Sequence, residues 1–239
     1  MSAAAIAERI VKKLRSLSSP ADVTKVGRFF KGDESGGNKI MGVSIGKVFP
    51  VAREFVQAPL AEIELLLESE FYEVRMGAVS VMDFQARAKS AAPPQRKALY
   101  DLYIRRHDRI NNWDLVDRAA PHVVGRYLMD RPRDILYKLA RSPNPWERRT
   151  AIVSTYYFIR AGQLEDTFRI AQLLLDDDHD LVQKATGSWL REAGKKDPGE
   201  LICFLETHAA RMQRATLRYA IEKLDRNLRV RFMRIKDAG

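Results

Sequence analysis

The sequence is poor in the residues that build covalent or metal-bound cores. Cys203 is the one cysteine, so no disulfide can form within the chain. It lies in the apolar run 201–205, which predicts a buried and unreactive thiol. The four histidines are scattered along the chain at His107, His122, His179 and His208. Because zinc needs clustered His, Cys or carboxylate ligands, we expect no metal site.

Long apolar runs are also missing. No stretch of about 18 apolar residues occurs, which excludes a membrane-spanning helix on sequence grounds. Residues 1–14 mix charged with apolar positions, a pattern typical of an amphipathic helix and not of a signal peptide. Glycine-rich phosphate loops and Gly-x-Ser-x-Gly elbows are absent too. We therefore expect a soluble, cytoplasmic protein.

Basic residues outnumber acidic ones. Lys and Arg total 41 against 31 Asp and Glu, for a formal net charge of +10 and a pI of about 9.8. An excess of this sign favours a polyanionic partner. Nine of the basic residues, against two acidic ones, lie between residues 207 and 236. Arg211, Arg214 and Arg218 are spaced to share one helical face, which predicts a row that follows phosphates; the alternative is a solvated basic face.

Apolar residues recur at helical spacing, and alternating strand patterns are nearly absent. Similar helix starts recur at intervals of about 35 residues, a period of paired-helix repeats of the HEAT class. These starts lie at Val74, Asn111, Glu147, Val182 and Met212. The spacing predicts an all-α fold: a curved superhelical array of about five to six antiparallel helix pairs. A less regular helical bundle ranks second.

We expect one domain over residues 1–239. Residues 1–40 would hold the N-terminal helices and a Gly-rich loop, and residues 41–239 would hold the repeats. No sequence feature indicates an oligomer interface, so we expect a monomer.

Two aromatic and charged clusters are candidate sites. Trp113 and Asp117 stand at i and i+4, hence on one helical face, while Asp114 points elsewhere. About one repeat later, Trp146 and Arg149 begin the helix expected beside them. The structural alternative is a core tryptophan with a buried Asp–Arg ion pair.

These motifs resemble the HEAT-like DNA alkylation repair glycosylases of the AlkD type, between about Phe29 and Arg191. The resemblance is carried by an ordered set of motifs: Phe29-Phe30-Lys31 before a Gly-rich segment, Met41-Gly42-Val43, Trp113-Asp-x-Val-Asp117, Trp146-x-x-Arg149-x-Ala-Ile, and Gly187-Ser-Trp-Leu-Arg-Glu192. One position departs from the family pattern: Ser188 follows Gly187, and the tryptophan is displaced to Trp189, about 100° further round a helix.

The resemblance implies Asp117, Trp113 and Arg149 as the catalytic residues. It implies hydrolysis of the N-glycosidic bond of cationic alkylated purines, such as 3-methyladenine and 7-methylguanine, in double-stranded DNA. Hydrolysis of a cationic leaving group needs only water and charge, so we expect no cofactor. A bacterial protein with this activity would be nucleoid-associated. The expected DNA contacts are Phe29, Arg148, Lys184, Trp189, Arg191, Arg211, Arg214 and Arg218. Two alternatives stay open: a HEAT-repeat protein that binds DNA structures without catalysis, and a protein-binding HEAT adaptor.

Overall fold

A computed structural model describes residues 4–28, 30 and 37–235. The chain divides into two compact units, Met1–Tyr127 and Leu128–Gly239. The expectation of one continuous domain over residues 1–239 stays a prediction.

The first unit is helical. Its α-helices are α1 (Ala4–Ser16), α2 (Pro20–Gly27), α3 (Ile45–Glu54), α4 (Leu60–Leu67), α5 (Tyr72–Arg87), α6 (Pro93–Arg105) and α7 (Trp113–Ala120). A 3-10 turn at His107–Arg109 precedes α7, and a π-helical segment at Pro121–Gly125 continues it.

The second unit is helical as well. Its helices are α8 (Asp134–Leu139), α9 (Pro145–Ser154), α10 (Tyr156–Arg160), α11 (Glu165–Leu173), α12 (Asp180–Gly194), α13 (Pro198–His208), α14 (Arg214–Ala220) and α15 (Arg226–Met233). The described residues contain no strand, only an isolated bridge between Lys39 and Phe71. No helix in the described part of the chain is long and apolar enough to cross a membrane.

The predicted all-α fold is confirmed, and so is the recurrence of helix starts. The helices α5, α7, α9, α12 and α14 each begin two residues from a predicted start. In the first unit α5 packs against both α4 and α7, and in the second unit α12 packs against α9, α11 and α14. Each recurrent helix therefore buries its apolar side on neighbouring helices, as stacked helix pairs do.

Turn chemistry fixes where α9 begins. The Asn144 side chain accepts a hydrogen bond of 2.9 Å from the backbone N–H of Trp146, and Pro145 takes the first helical position of α9. An Asn cap followed by Pro satisfies or removes N–H groups that would otherwise lack a partner. Asn144 and Pro145 therefore fix the first turn of α9.

Glu73 ties the segment before α3 to α5. Its fully buried carboxylate accepts hydrogen bonds from the backbone N–H groups of Met41 and Gly42, both 2.8 Å, and of Val43 at 3.2 Å. Gly42 has a φ of +87°, and a Cβ there would lie 2.4 Å from a Val23 methyl. The motif 41–43 thus has a structural role: its glycine permits the turn that aims three N–H groups at one carboxylate.

Gly187 sets the distance between α12 and α14. A Cβ at this position would meet the Thr216 carbonyl oxygen at 2.4 Å and the Tyr219 Cβ at 2.6 Å. Only glycine allows this approach of the two helices. The glycine of the 187–192 motif therefore serves helix packing.

Replacing Gly187 with Ala should destabilise the protein by about 1 to 3 kcal/mol, because backbone must move to accept the methyl group. Gly46→Ala is the matched control, since a Cβ at Gly46 of α3 meets nothing within 4 Å. Its expected effect is neutral to slightly stabilising. Urea unfolding of both variants tests this, and equal effects would contradict the packing role.

The prediction of a buried Cys203 is wrong, because its side chain is exposed. Leu201 and Leu205, one turn apart, are the inward positions of this part of α13. Cys203 lies about 200° round the helix from Leu201 and faces away from that contact.

Candidate functional site

Trp113 and Asp117 lie one turn apart on α7, and both are half-exposed. The buried Asn112 begins this helix by accepting a hydrogen bond of 2.6 Å from the Trp113 N–H. The indole and the carboxylate thus lie on adjacent turns of one helical face, as the sequence predicts. An aromatic ring beside a partly solvated carboxylate is suited to stabilise a cationic group.

Asp114 has a different position. Its carboxylate is buried, with 7% of the residue exposed, and it accepts a hydrogen bond from the Tyr72 hydroxyl of α5. Burial raises the pKa of Asp114 to about 6, with nearby Asp117 adding to the shift, and burial raises the pKa of the Tyr72 phenol. The prediction that Asp114 points away from the Trp113 and Asp117 face is confirmed.

The raised pKa of Asp114 makes stability depend on pH. Because the folded pKa of about 6 lies above the ordinary value of 3.8, the folded state holds this proton more tightly, and stability falls as pH rises from 4 to 6. Asp114→Asn removes that charge. The variant should therefore gain about 2 to 3 kcal/mol over the wild type between pH 4 and pH 8. Unfolding at several pH values measures the difference, and a constant difference would contradict it.

Two further side chains of α7 and the segment after it bind α5. Arg118 lies 3.0 Å from a carboxylate oxygen of Asp83 and donates to the Ser80 hydroxyl at 3.1 Å. His122 Nδ1 lies 2.8 Å from the other oxygen of Asp83, whose side chain is 1% exposed. Together with Asp114, these residues repeat every four positions and hold one side of α7 against α5.

That anchoring leaves Trp113 and Asp117 on a different side of α7. The rings of Phe49 and Phe84 also hold Arg118 in this contact, because they lie 4.4 and 4.7 Å from its guanidinium carbon. Burial lowers the pKa of Arg118. Sequence reasoning missed this cluster, although the spacing of Asp114 and Arg118 was the available signal.

The remaining predicted catalytic residue, Arg149, lies in the second unit. It is buried, with 6% exposed, and its guanidinium donates to the Leu181 carbonyl at the start of α12. Trp189 of α12 is half-buried and donates from Nε1 to the Val153 carbonyl of α9 at 3.1 Å. Both side chains therefore join α9 to α12.

Several predicted DNA contacts are engaged in ion pairs. Arg148 lies 2.6 Å from Asp177 and also donates to the carbonyls of residues 142 and 143. Lys184 pairs with Asp180 at 2.5 Å, and Arg191 pairs with Glu222. Phe29 lies outside the described residues. As DNA contacts these residues stay predictions.

The expected row of Arg211, Arg214 and Arg218 on one helical face is wrong. Helix α14 begins only at Arg214, so Arg211 lies in the preceding turn, where it pairs with Asp176 at 2.6 Å. Arg214 turns toward α15 and donates to the carbonyls of Met233 and Ile235 at 2.9 and 3.1 Å. Arg218 is exposed and has neither an ion pair nor a side-chain hydrogen bond among the described residues. Within those residues no group of three or more His, Cys, Asp or Glu could hold a metal ion.

Comparison with known proteins identifies relatives. The model of the DNA alkylation repair enzyme family matches residues 10–224. The chain also resembles the solved structure of a predicted DNA alkylation repair enzyme from Enterococcus faecalis. That match has a TM-score of 0.67 and 14% identity, and covers 87% of this chain and 97% of the other. At this identity the likeness shows the fold alone. No curated protein matches the sequence.

The family match includes every described helix from α2 to α14 and both candidate clusters. It agrees with the resemblance read from the ordered motifs between Phe29 and Arg191. The chain therefore belongs to the DNA alkylation repair enzyme family.

Proposed function

We propose that this protein is a DNA glycosylase that hydrolyses the N-glycosidic bond of cationic alkylated purines in duplex DNA. Family membership indicates a role in the repair of alkylated DNA. The observation that carries the finer proposal is the face of α7 that presents Trp113 and Asp117 one turn apart, while Asp114 is buried against Tyr72.

The chemistry needs few groups. Alkylation at N3 or N7 gives the purine a positive charge, so the base leaves with the bonding electron pair and needs no general acid. The sugar is left with oxocarbenium character, and a water oxygen bonds to C1′ and loses a proton. The Asp117 carboxylate would stabilise the developing cation and orient or deprotonate that water.

Trp113 would supply the second interaction. An indole face attracts cations, which favours the charged nucleotide over an unmodified one. In this proposal Arg149 binds a backbone phosphate. Its hydrogen bond to the Leu181 carbonyl fixes the position of the guanidinium in the α9–α12 contact.

The competing function is recognition of DNA without catalysis. The observation that favours it is Trp189, displaced one position by Ser188 and bonded to the Val153 carbonyl. An indole held in that bond is a fixed part of the α9–α12 contact.

Base release separates the two functions. Purified protein is incubated with duplex DNA that carries 7-methylguanine or 3-methyladenine, and free base is quantified by chromatography. The proposal expects time-dependent release of both bases from the duplex. Duplex binding without any release would contradict it and favour recognition alone.

A further inference from the structure

The α14–α15 hairpin forms an open groove of about 430 Å³. Its floor is apolar and consists of Ile221, Val230 and Met233. Its rim has three exposed arginines, Arg218 from α14 and Arg226 and Arg229 from α15. The two arginines of α15 stand at i and i+3 and so share a face of that helix.

These three arginines differ from most basic side chains of the second unit. Among the described residues, none of them has an ion pair or a side-chain hydrogen bond. Glu222 also lines the groove, but its carboxylate is already paired with Arg191 and, at 3.0 Å, with Lys223. Within the described part of the chain, the groove therefore presents three positive charges that are not paired with a carboxylate.

The walls of the groove are fixed at both ends. Asp225 caps α15 by accepting the backbone N–H groups of Asn227 and Leu228 at 2.8 and 3.0 Å. Arg214 donates to the carbonyl of Met233, the last residue of α15, and to that of Ile235, and Phe232 of α15 is fully buried. Because α15 is held in place, ordering the rim arginines costs only side-chain entropy.

We propose that this groove binds the phosphate backbone of duplex DNA through Arg218, Arg226 and Arg229. Guanidinium groups bind phosphate oxygens with two N–H donors at once, and the sugar edge of a strand can contact the apolar floor. This inference rests on the proposed function, since that function makes duplex DNA the ligand. It adds to the DNA contacts two arginines, Arg226 and Arg229, that the motifs do not include.

Salt dependence tests the groove directly. The variant Arg218→Gln/Arg226→Gln/Arg229→Gln loses three phosphate contacts, so the slope of log affinity against log salt should fall by about 2.7. Between 50 and 200 mM salt the wild type should then lose about 40-fold more affinity than the variant. Fluorescence anisotropy with an unmodified duplex measures both quantities.

The control removes the same charge elsewhere. Arg105→Gln/Arg169→Gln/Arg231→Gln takes exposed arginines that are paired with Glu64, Glu165 and Glu206. Its salt slope should match that of the wild type. Thermal unfolding of both triple variants checks that each one folds.

Each outcome decides the proposal. A lowered slope in the groove variant alone supports it. Equal slopes in both triple variants, or a wild type without salt-sensitive duplex affinity, would overturn it. Base release from methylated duplex by the wild type is measured in parallel. If release occurs while the groove variant keeps the wild-type slope, the groove proposal fails and the glycosylase survives.

Discussion

Replacing Asp117 with Asn should lower the rate of 7-methylguanine release from methylated duplex DNA by about 100-fold or more. The amide keeps the size and the hydrogen-bonding oxygen of the carboxylate but removes the charge that faces the developing oxocarbenium ion. Affinity for the duplex should remain close to that of the wild type, because a carboxylate contributes no attraction to phosphates. Single-turnover release and anisotropy on the same duplex measure the two properties.

The matched control is Asp101→Asn. Asp101 is a half-exposed carboxylate on α6 of the same unit, paired with Lys97 at 2.6 Å. Its substitution makes the same change of charge away from α7, so release should proceed at the wild-type rate. Comparable losses in both variants would show that net charge, and not the position of Asp117, sets the rate.

Replacing Glu73 with Ala should lower the free energy of unfolding by about 3 to 5 kcal/mol. The backbone N–H groups of Met41, Gly42 and Val43 then lose their acceptor in a buried site, and each unpaired buried donor costs about 1 to 3 kcal/mol before relaxation. Chemical denaturation with urea measures the loss.

Glu70→Ala is the control for Glu73. Glu70 lies three residues earlier and makes an exposed ion pair with Lys39 at 2.8 Å. Exposed pairs contribute at most about 1 kcal/mol, so this variant should unfold near the wild-type midpoint. If Glu73→Ala were no more destabilising than Glu70→Ala, the carboxylate would not hold the segment before α3.

Much of the fold could be predicted because helix starts leave local signals. The Asn144 cap and the following Pro145 mark α9 in the sequence, and they have those roles in the structure. The orientation of α7 could also be predicted from local sequence, because a four-residue spacing places Trp113 and Asp117 on one helical face and Asp114 on another.

The charged side chains could not be assigned in the same way. Whether an arginine contacts a ligand or a carboxylate depends on residues about 30 positions away, as with Arg148 and Asp177 or Arg191 and Glu222. Helical spacing alone placed Arg211 on α14, yet the helix begins at Arg214. Cys203 shows a related limit, because an apolar run does not tell which side of a helix is buried.

The most direct test of the account compares two duplexes that differ only in the charge of the lesion. One carries 7-methylguanine and the other its neutral analogue 7-methyl-7-deazaguanine, and the wild-type protein is incubated with each. We expect release of the cationic base alone, since only that base leaves without protonation. Equal release of both bases, or none from either duplex while binding persists, would contradict the account.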